Sequence, residues 1–252
     1  MEETKQYPFV PIYGIPFSKL SMQDTVKWLT QAIQERRSTH VITANPIMVM
    51  AALENANFMK VMKQSDLVVP DGTGVVWAAN YVGDPLPERV TGFDLLHQLM
   101  TAGQEYRWRV YMLGASPEVI QEAAARLQQQ YPAIEIVGYR DGFFGAAEDD
   151  QVVEQISSLQ PDILFVARGA DTQEPWIAKY RDRLNCTVMM GVGGSFDVIS
   201  GRSKRAPGWV QSMRIEWLYR LVKEPWRFTR MLALPKFALK VMRDKEKVTK
   251  IN

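Results

Sequence analysis

A carboxylate held between a proline and two glycines is the residue of this chain best suited to acid–base chemistry. Asp71 stands in the segment Val69-Pro70-Asp71-Gly72-Thr73-Gly74, directly after a short apolar run. A carboxylate fixed on a rigid element can take the proton from an attacking sugar hydroxyl, and glycines let a ligand approach the backbone closely. The alternative is a plain Asp-Gly turn, which is a common loop device.

Three further segments place polar side chains where a ligand could meet them. Thr43 and Asn45 follow another apolar run and could hydrogen-bond a sugar, although Asn45 also suits a helix N-cap. Arg89 precedes a helix start and could bind a diphosphate together with backbone N–H groups, or pair with Glu88 or Asp94. Gln173 could hold a sugar or uracil edge, or belong to a capping segment.

Common nucleotide and metal motifs are missing from the sequence. The run Gly191-Val192-Gly193-Gly194-Ser195-Phe196 departs from the dinucleotide spacing because Phe196 stands at the third glycine position. The chain also lacks a Walker loop and an Asp-x-Asp pair, and it has one cysteine and two histidines. We therefore expect no cofactor and no metal, with arginines and helix termini neutralising any diphosphate leaving group.

The elements that must position these residues alternate between short apolar runs and longer amphipathic segments. This order predicts an α/β fold with a Rossmann-like, mainly parallel sheet flanked by helices. In such sheets ligands bind outside the carboxyl ends of the strands, where the residues above lie. The predicted strands are His40 to Thr43, Leu67 to Val69, Trp108 to Leu113, Ile134 to Val137, Ile163 to Ala167 and Thr187 to Met190.

The charge of the chain is divided unevenly. The whole is net +2, but the last 51 residues, from Arg202, carry 14 Lys/Arg against 4 Asp/Glu. We therefore predict an α/β catalytic domain over 1–200 and a basic, amphipathic, helical appendage over 201–252. Pro225 is expected to divide the appendage into two helices. The interleaved aromatic and basic residues suit an anionic membrane or a polyphosphate, and charge alone does not exclude nucleic acid.

No apolar run is long enough for a transmembrane helix, and residues 1–7 do not have the pattern of a signal peptide. The single cysteine, Cys186, allows no intrachain disulfide. We expect a cytoplasmic protein whose membrane contact is peripheral, on the inner face of the plasma membrane.

Taken together, the ordered motifs resemble the WecG/TagA/CpsF glycosyltransferases. The resemblance covers nearly the whole chain, and several motifs in order are more specific than any one of them. The segments that carry it are Thr43–Pro46, Asp66–Gly74, Pro87–Asp94, Gln173-Glu174-x-Trp176, Gly191–Asp197, Lys204–Pro207, Glu216–Leu221 and Glu224–Arg227.

The resemblance implies an inverting transfer of N-acetylmannosamine from UDP-ManNAc to the 4-hydroxyl of GlcNAc on undecaprenyl diphosphate, as in wall teichoic acid synthesis. It implies that Asp71 is the base and that Thr43, Asn45, Arg89 and Gln173 line the pocket. It also implies that the appendage docks on the membrane, that Arg220 reaches the active site to help bind the diphosphate, and that Arg227 and Arg230 belong to the same basic set.

One departure concerns the donor. Family members usually carry Leu-Gly-x-Pro where this chain has Arg168-Gly169-Ala170-Asp171, so UDP-ManNAcA or another UDP-hexose is an alternative donor. The remaining alternatives are a non-catalytic lipid-binding scaffold and a nucleotide-dependent oxidoreductase. Nucleic acid is not an expected partner, and a homo-oligomer is compatible with the sequence.

Overall fold

Eight strands form one sheet at the centre of the molecule. The computed structural model describes residue 5 and residues 7–213, 216–223, 225 and 228–250. The strand order is β1-β2-β4-β3-β8-β7-β5-β6, with β1 antiparallel to β2 and all other neighbours parallel. The strands are β1 (Phe9–Ile12), β2 (Ile15–Ser18), β3 (Thr39–Ala44), β4 (Leu67–Pro70), β5 (Arg109–Gly114), β6 (Glu135–Arg140), β7 (Ile163–Ala167) and β8 (Val188–Gly191).

Helices connect the strands and cover both faces of the sheet. Over the described residues they are α1 (Met22–Gln34), α2 (Pro46–Glu54), α3 (Ala56–Gln64), α4 (Thr73–Tyr81), α5 (Gly92–Tyr106), α6 (Pro117–Gln130), α7 (Asp149–Leu159), α8 (Ala170–Tyr180), α9 (Ser195–Ile199), α10 (Gly208–Ser212), α11 (Glu216–Lys223), α12 (Phe228–Met231) and α13 (Ala233–Arg243).

The α/β class and the parallel sheet are confirmed, and the six predicted strands correspond to β3–β8. The sequence did not reveal the hairpin of β1 and β2, whose short strands contain Pro11 and Pro16. Proline is depleted in strands and is tolerated at edges, and β1 is an edge strand.

The apolar side chains of the strands are buried on both faces, because helices lie on each side. One face packs against α1, α5 and α6. The other face packs against α2, α3, α4 and α13 at one end and against α7 and α8 at the other. Because helices cover both faces, a ligand can reach the sheet at the carboxyl ends of its seven parallel strands.

The C-terminal segment differs from the predicted pair of helices, since its described residues form four helices between Gly208 and Arg243. The break expected near Pro225 stays a prediction, because residue 224, which follows α11, lies outside the described residues, as do 226 and 227. In α13 the side chains of Phe237 and Val241 lie in the same apolar cluster as Val10 of β1. Whether residues 201–252 form a separate domain stays a prediction.

None of the helices in the described part of the chain combines the length and apolar character needed to cross a bilayer.

Candidate active site

The adjacent strands β4, β3 and β8 bring three sequence-predicted segments to one place. Asp71 follows β4, Thr43 and Asn45 lie at the end of β3, and the glycine turn Val192–Gly194 follows β8. Since all three strands are parallel, their carboxyl ends meet at the same edge. The sheet thus assembles residues that are about 150 positions apart in the sequence.

Two hydrogen bonds to the backbone of neighbouring segments hold Asp71, one made by its own N–H and one by its carboxylate. Its N–H donates to the carbonyl of Ala44 at 2.9 Å. Its Oδ2 accepts from the N–H of Gly92, the first residue of α5, at 3.3 Å. The N-terminus of a helix carries partial positive charge, so this contact stabilises the carboxylate form. The side chain is 28% exposed, which leaves it accessible from the edge of the sheet.

Arg89 lies next to Asp71 and also contacts the C-terminal segment. Its Nε is 4.0 Å from Asp71 Oδ1, and its Nη2 donates to Glu216 Oε2 at 2.9 Å. The ion pair suggested from the sequence, with Glu88 or Asp94, is not the one that forms. Glu88 instead accepts from the N–H of Met22 at 2.5 Å, while Asp94 pairs with Arg205. Arg89 is therefore a cation placed beside the candidate base.

Thr43 and Asn45 contribute to the shape of this edge. The Thr43 hydroxyl donates to the carbonyl of Gly191 at 3.3 Å and is almost completely buried. Asn45 is the N-cap of α2, where its Oδ1 accepts from Ile47 and Met48 N–H at 3.0 and 3.2 Å. The capping function considered from the sequence is thus present. Substrate contact by either side chain stays a prediction.

Gln173 belongs to a buried polar network beneath the glycine turn. Its Nε2 donates to Glu174 Oε1 at 2.8 Å, and its Oε1 accepts from the N–H of Gly193 at 3.3 Å. Glu174 is fully buried and contacts His40 Nε2 at 2.9 Å. A Cβ at Gly191 would collide with the side-chain ends of Gln173 and Glu174, so a larger residue there would displace this network. Gln173 therefore fixes the turn, and a role in substrate binding stays a prediction.

The structure describes the three predicted basic residues of the appendage to different extents. Arg220 lies in α11, which also carries Glu216, but its side chain lies outside the described part. Arg227 lies outside the described residues. Arg230 lies in α12 and is exposed. The predicted contact of Arg220 with a diphosphate stays a prediction.

A cleft of about 440 Å³ opens beside Arg89. It lies between α4, the loop before α5 and the C-terminal segment, with Arg205 and Glu216 on the appendage side. Its lining is mostly polar, with five charged side chains, three neutral polar ones and three apolar ones, so the cleft suits a polar ligand. The residues are Thr73, Val76, Asn80, Leu86, Pro87, Glu88, Arg89, Thr91, Asp94, Arg205 and Glu216.

A salt bridge joins the body to the appendage on one wall of this cleft. Arg205 Nη2 donates to Asp94 Oδ2 at 2.8 Å, and the guanidinium lies over the ring of Phe93. Burial by itself raises the pKa of Asp94, but hydrogen bonds from Arg205 and Thr91 outweigh it and lower the pKa below its usual value. Arg205 thus keeps the Asp94 carboxylate charged, and the carboxylate in turn holds Arg205 in place.

A second cleft, of about 510 Å³, lies at the ends of β5 and β7. The connection from β5 leads outward to β6, whereas that from β7 leads inward to β8. Ligands of open α/β sheets bind at such reversals. The lining residues are Ala115, Ser116, Gly142, Phe143, Ala167, Arg168, Gly169, Thr172, Asp197 and Arg202.

Two arginines give this second cleft a cationic character. Arg168 donates to the carbonyl of Phe144 and stacks on its ring at 4.2 Å, which holds the guanidinium in place. Arg202 Nη1 donates to the hydroxyl of Ser116 at 3.4 Å. Arg168 was noted in the sequence as a departure from the family pattern, but its place beside Ser116 and Arg202 in one cleft was not predicted. The rule that ligands lie after strand ends, applied to β5 and β6, is the signal that would have found them.

Comparisons with known proteins relate the chain to one family of enzymes. Residues 10–250 match the family described as the glycosyl transferase WecG/TagA/CpsF family. A Bacillus subtilis protein is 35% identical over 236 residues, which is 93% of this chain and 91% of the relative. A Staphylococcus aureus protein is 34% identical over 255 residues, which is 99% of this chain and 98% of the relative.

Both relatives carry the name N-acetylglucosaminyldiphosphoundecaprenol N-acetyl-beta-D-mannosaminyltransferase, as does a Bacillus spizizenii protein that is 36% identical over 234 residues. The similarity extends through α13, because the family match continues to residue 250. The clefts, the Asp71 edge and the appendage as far as residue 250 thus lie inside the matched region.

Proposed function

Because the chain belongs to the WecG/TagA/CpsF family of glycosyl transferases, we propose that it transfers N-acetylmannosamine from UDP-ManNAc to the 4-hydroxyl of GlcNAc-diphospho-undecaprenol. The names of its relatives support the acceptor and the transferred sugar. The observation that carries the mechanism is the position of Asp71, a partly exposed carboxylate beside Arg89 and the N-terminus of α5.

The proposed reaction is a single displacement with inversion at the sugar carbon. The 4-hydroxyl oxygen of GlcNAc attacks the anomeric carbon of ManNAc, and Asp71 takes the hydroxyl proton. The new carbon–oxygen bond forms as the bond to the β-phosphate breaks, and UDP leaves with the electron pair. General-base catalysis by a positioned carboxylate typically contributes about 10²- to 10⁴-fold.

The charge that develops on UDP must be neutralised for this reaction to be fast. The second cleft supports donor binding, because Arg168 and Arg202 line it and the N-terminus of α8 begins at its rim. Arg220 is proposed to add a further charge from the appendage. Cationic side chains fixed around a leaving diphosphate act mainly through electrostatic stabilisation of the transition state.

The lipid acceptor requires that the protein work at a bilayer surface. Large apolar side chains of the appendage are exposed, including Trp217, Val222 and Phe228. Arg230 and Lys223 lie among them. Exposed apolar and basic side chains of this kind suit peripheral binding to an anionic leaflet, where each basic residue contributes about 1 kcal/mol.

A direct assay tests the proposed reaction. The protein is incubated with a short-chain GlcNAc-diphosphate lipid and a panel of UDP sugars, and the product is identified by mass. We expect UDP-ManNAc to give the disaccharide lipid. Release of no UDP from any donor, with vesicle binding preserved, would favour the lipid-binding scaffold. A preference for UDP-ManNAcA would leave the family assignment unchanged but would replace UDP-ManNAc as the proposed donor.

The Asp71→Asn variant tests the assigned base. We expect it to fold normally and to lose activity by about 10²- to 10⁴-fold, mainly in kcat, because an amide cannot take the proton. Asp182→Asn, which changes an exposed carboxylate in the turn after α8, is the matched control. Near-normal turnover by Asp71→Asn would remove this residue from the mechanism but leave the reaction itself untouched.

A further inference from the structure

One acidic residue of the basic appendage reaches the candidate active site. Glu216, the first residue of α11, accepts a hydrogen bond from Arg89 at 2.9 Å, and its side chain is only 17% exposed. Arg89 in turn lies 4.0 Å from the Asp71 carboxylate. The appendage is therefore connected to the candidate base through one arginine, and the residue that makes the connection is negatively charged.

This ion pair leaves two buried polar atoms unsatisfied. Oε1 of Glu216 and Nε of Arg89 are inaccessible to solvent, and neither has a hydrogen-bond partner among the described residues. Unpaired buried polar atoms cost free energy, and they are rare unless a ligand or water completes them. One of these atoms accepts and the other donates, so the two require partners of opposite polarity.

The polarity of the pair indicates which chemical group fits. A phosphate oxygen could accept from Arg89 Nε, but it would be repelled by the Glu216 carboxylate. A hydroxyl can donate to Glu216 Oε1 and can also accept from Arg89 Nε. Glu216 and Arg89 both line the cleft of about 440 Å³, together with the neutral polar residues Thr73 and Asn80. These features favour a sugar hydroxyl as the bound group.

We propose that Glu216 is a substrate-binding residue supplied by the appendage: while Oε2 holds Arg89, the carboxylate turns toward the cleft so that Oε1, which is covered in this structure, accepts a hydrogen bond from a hexose hydroxyl. This inference rests on the proposed glycosyl transfer, and it assigns an acidic residue to a segment otherwise expected to act through its positive charge. Both the acceptor and the donor carry a hexose. The chemistry is the same for either sugar, and the experiment distinguishes them.

Kinetics of Glu216→Ala and Glu216→Gln with deoxy substrates test the contact. Acceptors with 3-deoxy or 6-deoxy GlcNAc and the corresponding deoxy donors are compared with the intact substrates. We expect one analogue to be about ten- to a hundredfold poorer for the unmodified enzyme, as is typical of a lost hydrogen bond to a charged group. Glu216→Ala should have a raised KM for the intact sugar. With this variant, the same analogue should react no more slowly than the intact sugar.

This pattern separates substrate contact from a structural contribution. If Glu216 only held α11 in place, its removal would lower activity with every analogue by the same factor. Glu246→Gln, which changes an exposed carboxylate elsewhere in the appendage, should leave all rates unchanged. The identity of the affected analogue, a modified acceptor or a modified donor, shows which hexose is held.

Three results would overturn the proposal. Equal penalties for every analogue in both enzymes would reduce Glu216 to a structural residue. Higher activity in Glu216→Ala would mean that Glu216 obstructs substrate binding. A loss confined to kcat, as large as that of Asp71→Asn, would make it the base. If the unmodified enzyme forms no product, the proposed function fails, and calorimetric binding of the GlcNAc-diphosphate analogue to both proteins still tests the contact.

Discussion

Helices α11 and α13 are similar in length and in amphipathic, basic character, but they are attached to the body in different ways. Helix α13 buries Phe237 and Val241 almost completely against α2 and α4. Helix α11 exposes Val222 to 71% and contacts the body through the Glu216–Arg89 ion pair.

The two modes of attachment have different physical consequences. Burial of apolar side chains is nearly insensitive to salt and is lost only when the core opens. An ion pair at a partly exposed site is weaker, is screened by salt and can be exchanged for a ligand. The difference suggests that α13 belongs to the folded body and that α11 is the part of the appendage that responds to substrate and surface.

The largest expected effect concerns the buried side chains that attach α13 to the body. Phe237→Ala removes a fully buried ring and should lower the free energy of unfolding by about 3–5 kcal/mol, from lost burial and from the cavity left behind. The matched change Phe228→Ala, at a ring 56% exposed, should alter it by less than about 0.5 kcal/mol. Urea unfolding measures both. Equal effects would mean that α13 is no more tightly attached than α12.

A second comparison uses two arginines and a membrane. Arg230→Gln in α12 should weaken binding to anionic vesicles by about fivefold, since one basic side chain near an anionic surface contributes about 1 kcal/mol. Arg243→Gln, at the end of α13, where Arg243 contacts Asp244, should change binding less. Vesicle sedimentation at low and high salt measures both. An equal loss would show that α13 also faces the bilayer.

Salt should separate the two helices in hydrogen exchange. Raising the salt concentration from about 0.05 to 0.5 M shortens the screening length and weakens the Glu216–Arg89 contact. We expect the amides of residues 216–223 to exchange a few times faster, while those of 233–243 keep their protection. Faster exchange in both helices would mean that they open as one unit.

The smallest effect is a pH dependence at Asp94, which links the body to Arg205. The pKa of this carboxyl is lowered in the folded protein from the usual 3.8, so its stabilising contribution is fully present above 3.8 and disappears as the pH falls through the lower value. The stability difference between the natural protein and Asp94→Asn should therefore be constant from about pH 7 to 5 and shrink in acid.

The control for this measurement is Asp24→Asn. Asp24 occupies the same first-turn position on α1, where it pairs with Ser21. The pH profile of its variant is subtracted from that of Asp94→Asn, which leaves the part of the effect that depends on the Arg205 contact. A difference between the natural protein and Asp94→Asn that stays unchanged down to pH 3 would show that the Arg205 contact does not hold the carboxyl in its charged form.

Much of the fold could be predicted from the sequence because the parallel strands are buried on both faces and form continuous apolar runs. Helix starts were equally local signals, since Asn45, Thr91 and Ser116 each cap a helix with their own side chain. The attachment of α13 had no local signal. Phe237 and Val241 differ from the exposed Leu239 only in which side of the helix meets α2 and α4.

The candidate site was predicted in part for the same reason. Asp71 and Arg89 were identified because they follow a strand and precede a helix, which are features of neighbouring residues. The partner of Arg89 was not identified, because Glu216 is 127 positions away. The Arg168 cleft was also missed, since it depends on β5 and β7 being neighbours, and that follows only from the strand order.

The contact between Tyr13 and residue 248 bears on how the molecule is made. The N–H of Tyr13, in the turn between β1 and β2, donates to the carbonyl of Val248 at 2.7 Å, and Val248 is fully buried. The β1–β2 hairpin is synthesised before the rest of the sheet, but it gains this partner only after residue 248 has been made. Until then the apolar side chains of β1 and β2 lack part of their cover, and such exposed intermediates are prone to aggregate and are substrates for chaperones.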